Sequence, residues 1–290
     1  METGGQKAYK LSVAIPASLV SDTPHLREKT GKLGLIGRAC SIFAVSEVLL
    51  FADDPARDQR EELRFCSEIL SFLETPQYLR KRMFGLSPSL RFTGILPPLQ
   101  TPPHDVSPSL RESKVGDIRE GIVTASQKDT LILDVGLENT IQCRGRAKVG
   151  SRQTVRLTSV EGKLAGEIID PSNVGTYWGF SVKIEDVSVG RLAMSDQFDL
   201  TIGTSRYGKP VESMWSRLIE SVKTTRSILI VFGSPKRGLQ EILKQEGKTP
   251  EEAFDYFINT VPNQNVSTVR TEEAILISLG ILNLTLVAAR

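Results

Sequence analysis

NTVPNQNVSTVRTEEAILISLG, residues Asn259–Gly280, sets a polar loop directly against an apolar helix start. Loops of Asn, Pro, Gln, Ser and Thr ordinarily lie at the surface and move. Here no spacer separates the loop from Ala274, Ile275, Leu276, Ile277 and Leu279. Thr271 is the expected N-cap, and Glu272 and Glu273 follow in the first turn, where carboxylates complement the helix dipole. A helix apolar on every side is a buried helix, so its N-terminus is expected inside the protein with amide donors beside the polar loop. That combination suits an anionic or polar ligand; the plainer alternative is a capped core helix after a tight turn.

The remaining 268 residues set the context. A chain of 290 residues, 40% hydrophobic and 24% charged, has the composition of a globular protein of one large or two modest domains. The net charge of +2 leaves nucleic-acid affinity to local basic patches. Cys40, Cys66 and Cys143 form no CxxC pair, which points to a reducing compartment and no disulfide frame. His25 and His104 stand near prolines, away from any cluster with ligand spacing, which argues against a metal site and against a Ser/His/Asp triad. No apolar run reaches the ~20 residues of a membrane span, so the expectation is a cytoplasmic protein without a membrane partner.

Along the chain, LSVAIPASLV (Leu11–Val20) reads as a strand, GKLGLIGRACSIF as a helix with Leu33, Ile36, Ala39, Cys40 and Phe43 on one face, and Val48–Phe51 as a second buried strand. Glu61–Glu74 carries Leu63, Ile69, Leu70 and Leu73 at helical spacing, and the sum is the start of a parallel α/β sheet. The proline-rich run ILPPLQTPPHDVSPSL then excludes a helix or a central strand. From about Gly116 to Asp170 short alternating runs with turn residues between them indicate a small antiparallel barrel. After Val174 the βα texture resumes with GFSVKIEDV, FDLTIGTSRYG, VESMWSRLIESV, SILIVFG and GLQEILKQ. One α/β domain, 1–94 and 173–290, is thus expected to be interrupted by a barrel at 95–172.

Four further stretches bear on chemistry. GKLGLIGR has the spacing GxxGxxG, so it fails as a dinucleotide turn, and its helical glycines suggest close packing or a ligand next to Arg38. FGSPKRG, Phe232 to Gly238, outlines a phosphate-cradling loop but lacks GK[ST], which excludes a P-loop; a plain βα turn is the alternative. LTIGTSRYGKP places Gly203, Thr204, Ser205, Arg206 and Gly208 in a polar turn off a strand end, where open α/β sheets bind ligands. RGRAKVGSRQTVR holds Arg144, Arg146, Lys148, Arg152 and Arg156 with no acidic residue, a stripe suited to a nucleic-acid backbone or to plain solvation. Arg80, Lys81 and Arg82 form a second basic cluster.

Taken in order, SVAIP, RACSIF, LETPQYLRK, LSPSLRFTGILPPL, TYWGFSV, DLTIGTS, VFG and RTEEAILISLG resemble the SPOUT class of trefoil-knotted, S-adenosylmethionine-dependent RNA methyltransferases. The branch it is most similar to has an OB-like barrel inserted in the knotted domain. The resemblance implies a knot in the C-terminal loops, a topology rare enough that no pattern argument proposes it. It implies a cofactor pocket lined by Thr201–Ser205, Phe232–Gly238 and Asn259–Thr271, with Asn259, Thr260, Pro262, Asn265, Val266 and Thr271 in the third loop. Where members of the class carry a glycine in a QGS-like run, this chain has Gln264, Asn265, Val266 and Ser267; asparagine tolerates positive φ, so Asn265 is the expected turn residue. By the same resemblance Arg38 faces the substrate, and Arg270 and Glu272 orient the nucleotide or take its proton.

The function this implies is methylation of structured RNA, ribosomal RNA in the first place, at a base nitrogen such as uridine N3, by a homodimer. The rival from another class is a non-catalytic RNA-binding or ribosome-assembly protein that works through the barrel. A magnesium-dependent nucleotide enzyme using Gly233–Gly238 ranks last, because no magnesium ligand of the expected type stands near that loop.

Overall fold

The structure, a computed structural model, describes residues 9–104, 114–160 and 163–288. In chain order these form β1 (Lys10–Pro16), α1 (Leu26–Ile42), β2 (Glu47–Phe51), α2 (Arg60–Glu74) and α3 (Gln77–Met83). A group of strands follows: β3 (Ile118–Gln127), β4 (Thr130–Asp134), β5 (Ile141–Arg144), β6 (Arg152–Val160) and β7 (Lys163–Ile168). The chain continues through β8 (Ser181–Glu185), α4 (Val189–Ala193), β9 (Leu200–Pro210), α5 (Val211–Lys223) and β10 (Ser227–Val231). It ends with α6 (Leu239–Gln245), α7 (Pro250–Ala253), β11 (Tyr256–Asn259) and α8 (Thr271–Ala288). By their contacts the described residues divide into two units, one made of 9–73, 89–98 and 180–288, the other of 74–88, 99–104, 114–160 and 163–179.

The first unit is built on a parallel sheet of order β11-β9-β10-β1-β2-β8. Its central strands are near-continuous apolar runs, as a sheet covered on both faces requires. Alternate residues sort onto the two faces. Ala14, Leu49, Phe51, Leu229 and Val231 share a core with α4, α6 and the end of α7. Val13, Ile15, Val48, Leu50, Ile228 and Ile230 are buried on the opposite face, where right-handed crossovers put α1 and α5. The expected first strand stops at Pro16, and Ala17–Val20 turns into a short 3₁₀ segment. The helical glycines of α1 meet side chains: a Cβ at Gly34 would lie 3.0 Å from Leu96 and Pro97, and one at Gly37 would strike Leu73.

The last helix departs from expectation. α8 packs against α1 and α5, and buries Ile275, Leu279, Leu282 and Leu286, but Leu276, Ile277, Leu284 and Val287 are exposed. An outer-layer helix has neighbours on one side only, so among the described residues its second apolar face is left bare.

The second unit centres on a closed barrel of order β3-β4-β5-β7-β6 around Val123, Leu131, Leu133, Ile141, Val155 and Leu157. It is not wholly antiparallel: β5 and β7 run parallel. An odd number of strands cannot alternate direction all the way around a ring, so one parallel junction is forced. Beside the barrel lies a buried polar network. The Arg152 guanidinium grips both oxygens of Glu74 and, at 2.5 Å, Glu120, while Thr154 donates to Glu120 at 2.7 Å and Trp178 donates to the same carboxylate. Burial raises the Glu74 carboxyl while Arg152 opposes the shift. All three cysteines are buried free thiols.

His104 joins this network, its Nε2–H donating to the Glu74 carbonyl at 2.5 Å. Burial pushes its imidazole down from 6.5 to about 4, and the nearby Arg80 and Arg152 charges add to the effect. The folded state therefore holds the neutral ring, and its contribution is complete above pH 6.5 and lost as pH falls toward 4, where only the unfolded chain takes up the proton readily. His104→Gln keeps a donor and does not titrate. Between pH 6.5 and 4 the melting temperature of the wild type is expected to fall more steeply than that of this variant; parallel curves would contradict the assignment.

Candidate functional site

The carboxyl ends of β1, β9, β10 and β11 gather three loops. β1 and β10 are neighbours, and the connections leaving them run in opposite directions across the sheet, β1 to β2 and β10 to β11. Such a junction opens a crevice at the strand ends, where open parallel sheets bind ligands.

The first loop is an excursion within β9. The ladder with β11 pairs Ile202 and Gly203, then resumes only at Lys209 opposite Ile258, so residues 204–208 leave the sheet. Thr204 returns its hydroxyl to the Val231 carbonyl at 3.0 Å, and Ser205 Oγ accepts from the Tyr207 amide at 3.2 Å. Gly208 is required by the return: a Cβ there would lie 2.7 Å from the Ile258 nitrogen, inside the neighbouring backbone. Gly203 faces the Phe254 ring, which occupies the space a side chain would need. Thr201 does not join this loop; its amide and hydroxyl donate to Asp255 at 2.8 and 2.9 Å, at the amino end of β11.

The second loop follows β10. Phe232 is buried and extends the ladder, its amide donating to the Ala14 carbonyl at 3.0 Å. Ser234 and Arg237 close the turn with mutual bonds of 2.8 and 3.1 Å, and Gly238 caps α6. The turn is fastened to β2 by residues that sequence reasoning missed. Arg237 donates to Asp54 at 2.6 Å, and that bond holds the Asp54 carboxyl below its ordinary range. Gln59 accepts from the amides of Asp53 and Asp54, both at 2.9 Å, while Asp53 accepts from the Ser18 hydroxyl at 2.5 Å. The signal available in sequence was the pair Asp53–Asp54 directly after a buried strand.

The third loop is the polar stretch after β11. Asn259 donates to the Arg206 carbonyl at 3.0 Å and accepts from the Val261 amide at 2.8 Å. Thr260 is buried and shares a 2.7 Å bond with Ser278 of α8. Arg206 donates to the Ser267 carbonyl at 2.9 Å. The left-handed residue is Asn263, with φ of 63°, and not Asn265; Asn265 and Val266 are exposed, and Pro262 is half-buried. The loop is thus fixed by Arg206 of the first loop, by Ser278 of α8 and by its own Asn259 turn.

At the start of α8 the cap is Arg270, one residue before the expected Thr271: its carbonyl accepts from Ala274 at 2.8 Å and its amide donates to Glu273 at 2.9 Å. Thr271 is buried in the first turn, and its hydroxyl donates to the Gly233 carbonyl at 3.3 Å, joining the second and third loops. Glu272 is buried too; among the described residues its Oε2 has no hydrogen-bond partner, and it stands 3.5 Å from the Lys32 ammonium. Lys32, also missed in sequence, donates to Leu19 O at 2.9 Å and Asp22 at 2.7 Å. Arg38 donates to the Pro98 carbonyl at 3.1 Å.

The basic residues of the second unit divide by partner. Arg152 is committed to Glu74 and Glu120. Arg146 pairs with Asp129 at 2.7 Å, Arg156 with Glu167 at 3.9 Å, and Arg82 with Asp134, while Arg80 donates to the Thr75 carbonyl at 2.8 Å. Arg144, Lys148 and Lys81 are exposed. Among the described residues no helix is long and apolar enough to cross a membrane.

Comparison with known proteins gives this geometry its family. The family described as "Putative RNA methyltransferase" matches residues 10–282. A human 28S rRNA (uridine-N(3))-methyltransferase is 32% identical over 312 aligned positions, which cover 98% of this chain and 80% of that protein. The enzyme of the same description in Drosophila melanogaster is 31% identical, covering 94% of this chain and 61% of its own. A protein of Haloarcula marismortui is 34% identical, covering 94% of this chain and 99% of its own. A match over nearly the whole length shows that this chain belongs to that family of RNA methyltransferases.

Proposed function

We propose that this methyltransferase modifies N3 of a uridine in ribosomal RNA and takes its methyl group from S-adenosylmethionine. The observation that carries the reading is the identity, over 98% of the chain, with a 28S rRNA (uridine-N(3))-methyltransferase. The cofactor fits the donor set of the three loops. Backbone amides and carbonyls there suit an adenine ring, and the buried Glu272 Oε2, without a hydrogen-bond partner among the described residues, suits the hydroxyl or ammonium donors of an adenosyl amino acid. Gly203, Thr204, Ser205, Phe232, Gly233, Gly238, Asn259, Thr260 and Thr271 would hold it, and Thr201 would act through strand pairing. When bound, it supplies an electrophilic methyl group.

The chain's own residues have two tasks. Uridine N3 carries a proton that must leave before its lone pair can attack, and Glu272 is the candidate acceptor, with Lys32 orienting its carboxylate. Arg38, and Arg270 at the mouth of α8, would hold the RNA in near-attack geometry. The barrel, read as OB-like from its strand order, would bind the RNA backbone through Arg144, Lys148 and Lys81, with Arg146, Arg156 and Arg82 available by exchange of surface partners. We further read the β9–β11 region as a trefoil knot, supported by α8 starting at the Gly233 carbonyl of the earlier loop. The exposed apolar face of α8 supports a homodimer, and the free buried thiols accord with a cytoplasmic setting.

Unmodified ribosomal RNA incubated with the protein and S-adenosylmethionine should yield 3-methyluridine on nucleoside mass spectrometry; methylation at ribose or at another base would refute the N3 assignment. Arg38→Ala should lower turnover about 100-fold, the scale of one lost transition-state contact, with RNA affinity within about two-fold of wild type by filter binding. Arg144→Ala combined with Arg146→Ala should do the reverse, weakening RNA binding and lowering the slope of log K against log salt by about 1–2.

A further inference from the structure

The excursion in β9 ends in an aromatic ring that the methyl-transfer machinery does not use. Tyr207 is 63% exposed although it sits at the carboxyl end of the sheet beside the cofactor loops. An exposed tyrosine on a loose loop would be unremarkable, but this one is braced by its neighbours. The Arg206 guanidinium lies over the ring, 4.8 Å from its centroid, and donates to the Tyr207 hydroxyl at 2.7 Å. The same guanidinium donates to the Ser267 carbonyl at 2.9 Å, and the Arg206 carbonyl accepts from Asn259 at 3.0 Å, so both ends of Arg206 are tied to the third loop. Behind the ring Ser205 Oγ accepts from the Tyr207 amide, and Gly208 abuts the Ile258 backbone. A cation lies over one face of the ring, and the ring otherwise stays largely exposed.

We infer that Tyr207, backed by Arg206, is a stacking platform for an unpaired nucleobase of the RNA substrate at the mouth of the methyl-transfer site; this rests on the proposed function. Base edges within an RNA duplex are hard to reach, so a base that is to be modified must be splayed out, and splayed bases are received on aromatic rings and guanidinium planes. The arrangement fits a base better than a protein side chain: the flat exposed ring matches a flat π-system, and the arginine places positive charge where the flanking phosphates pass. Since every base has a π-face, the platform positions the strand and leaves the choice of uridine to other groups. Rigidity matters because ordering a loose ring on binding would offset much of the stacking energy.

The test uses the full-length protein and a single-stranded oligoribonucleotide carrying one 5-iodouridine, irradiated in the absence of cofactor, with cross-linked peptides mapped by mass spectrometry. The expected result is a cross-link on the peptide containing Tyr207. Tyr207→Ala should lose that cross-link and weaken oligonucleotide binding about ten-fold, the worth of one base–aromatic stack, while Tyr207→Phe keeps both. Matching circular dichroism melts for the two variants would separate lost stacking from lost folding. Cross-links confined to barrel peptides, or unchanged binding by Tyr207→Ala, would overturn the proposal. Methylation at N3 without a Tyr207 cross-link would remove the platform alone, whereas the cross-link without N3 methylation would remove the uridine-N3 reading alone.

Discussion

A single buried ammonium ties the beginning of the α/β unit to its end. Lys32 of α1 reaches the Leu19 carbonyl after β1, Asp22 in the following turn, and Glu272 in the first turn of α8. A charge this deeply enclosed costs several kcal/mol unless it is paired and hydrogen-bonded, so the segments that supply its partners are fixed together. The position of α8 then fixes the hydroxyl of Thr271 on the Gly233 carbonyl and that of Thr260 on Ser278. Through α8 the second and third loops share an anchor, and Arg206 ties the first loop to the third. The polar loop that opens the sequence problem is held still because both its ends are anchored in the core.

Around this anchor the loops are braced both by side-chain bonds and by close backbone contact. Gly208 lets β9 and β11 touch backbone to backbone, and the Ser234–Arg237 turn is latched to Asp54. A ligand site assembled this way would present amides and carbonyls whose positions the fold dictates. Glu272 stands 3.5 Å from the Lys32 ammonium, and Arg38 donates to the Pro98 carbonyl. α8 also leaves an apolar face open: among the described residues nothing covers Leu276, Ile277, Leu284 and Val287.

Much of the scaffold was legible. The shift from 3.6-residue to two-residue periodicity located the α/β segments and the barrel, because each follows from local hydrophobic pattern. Strand order was not, since β11 pairing with β9 rather than β10 is a long-range choice that leaves no local trace. The burial of α8 was overestimated for a related reason: composition shows that a face is apolar but not which neighbour covers it. Arg152 looked like its neighbours in a basic stripe, yet its partner Glu74 lies 78 residues away. Asp53, Asp54 and Lys32 were passed over because an acidic pair after a strand and a lysine in a helix are ordinary until the fold brings their partners. Asn263, not Asn265, takes the left-handed turn, a distinction that residue type alone cannot make.

We propose that these three loops form one preorganised adenosyl-cofactor pocket at the head of α8. Calorimetric titration with S-adenosylhomocysteine, beside ATP plus magnesium as the competing ligand class, tests it most directly. The account predicts saturable micromolar binding of the adenosyl ligand by the wild type, at least ten-fold weaker binding by Lys32→Met, and no heat from ATP with magnesium. A folded protein that ignores S-adenosylhomocysteine, or that binds ATP with magnesium in its place, would contradict it.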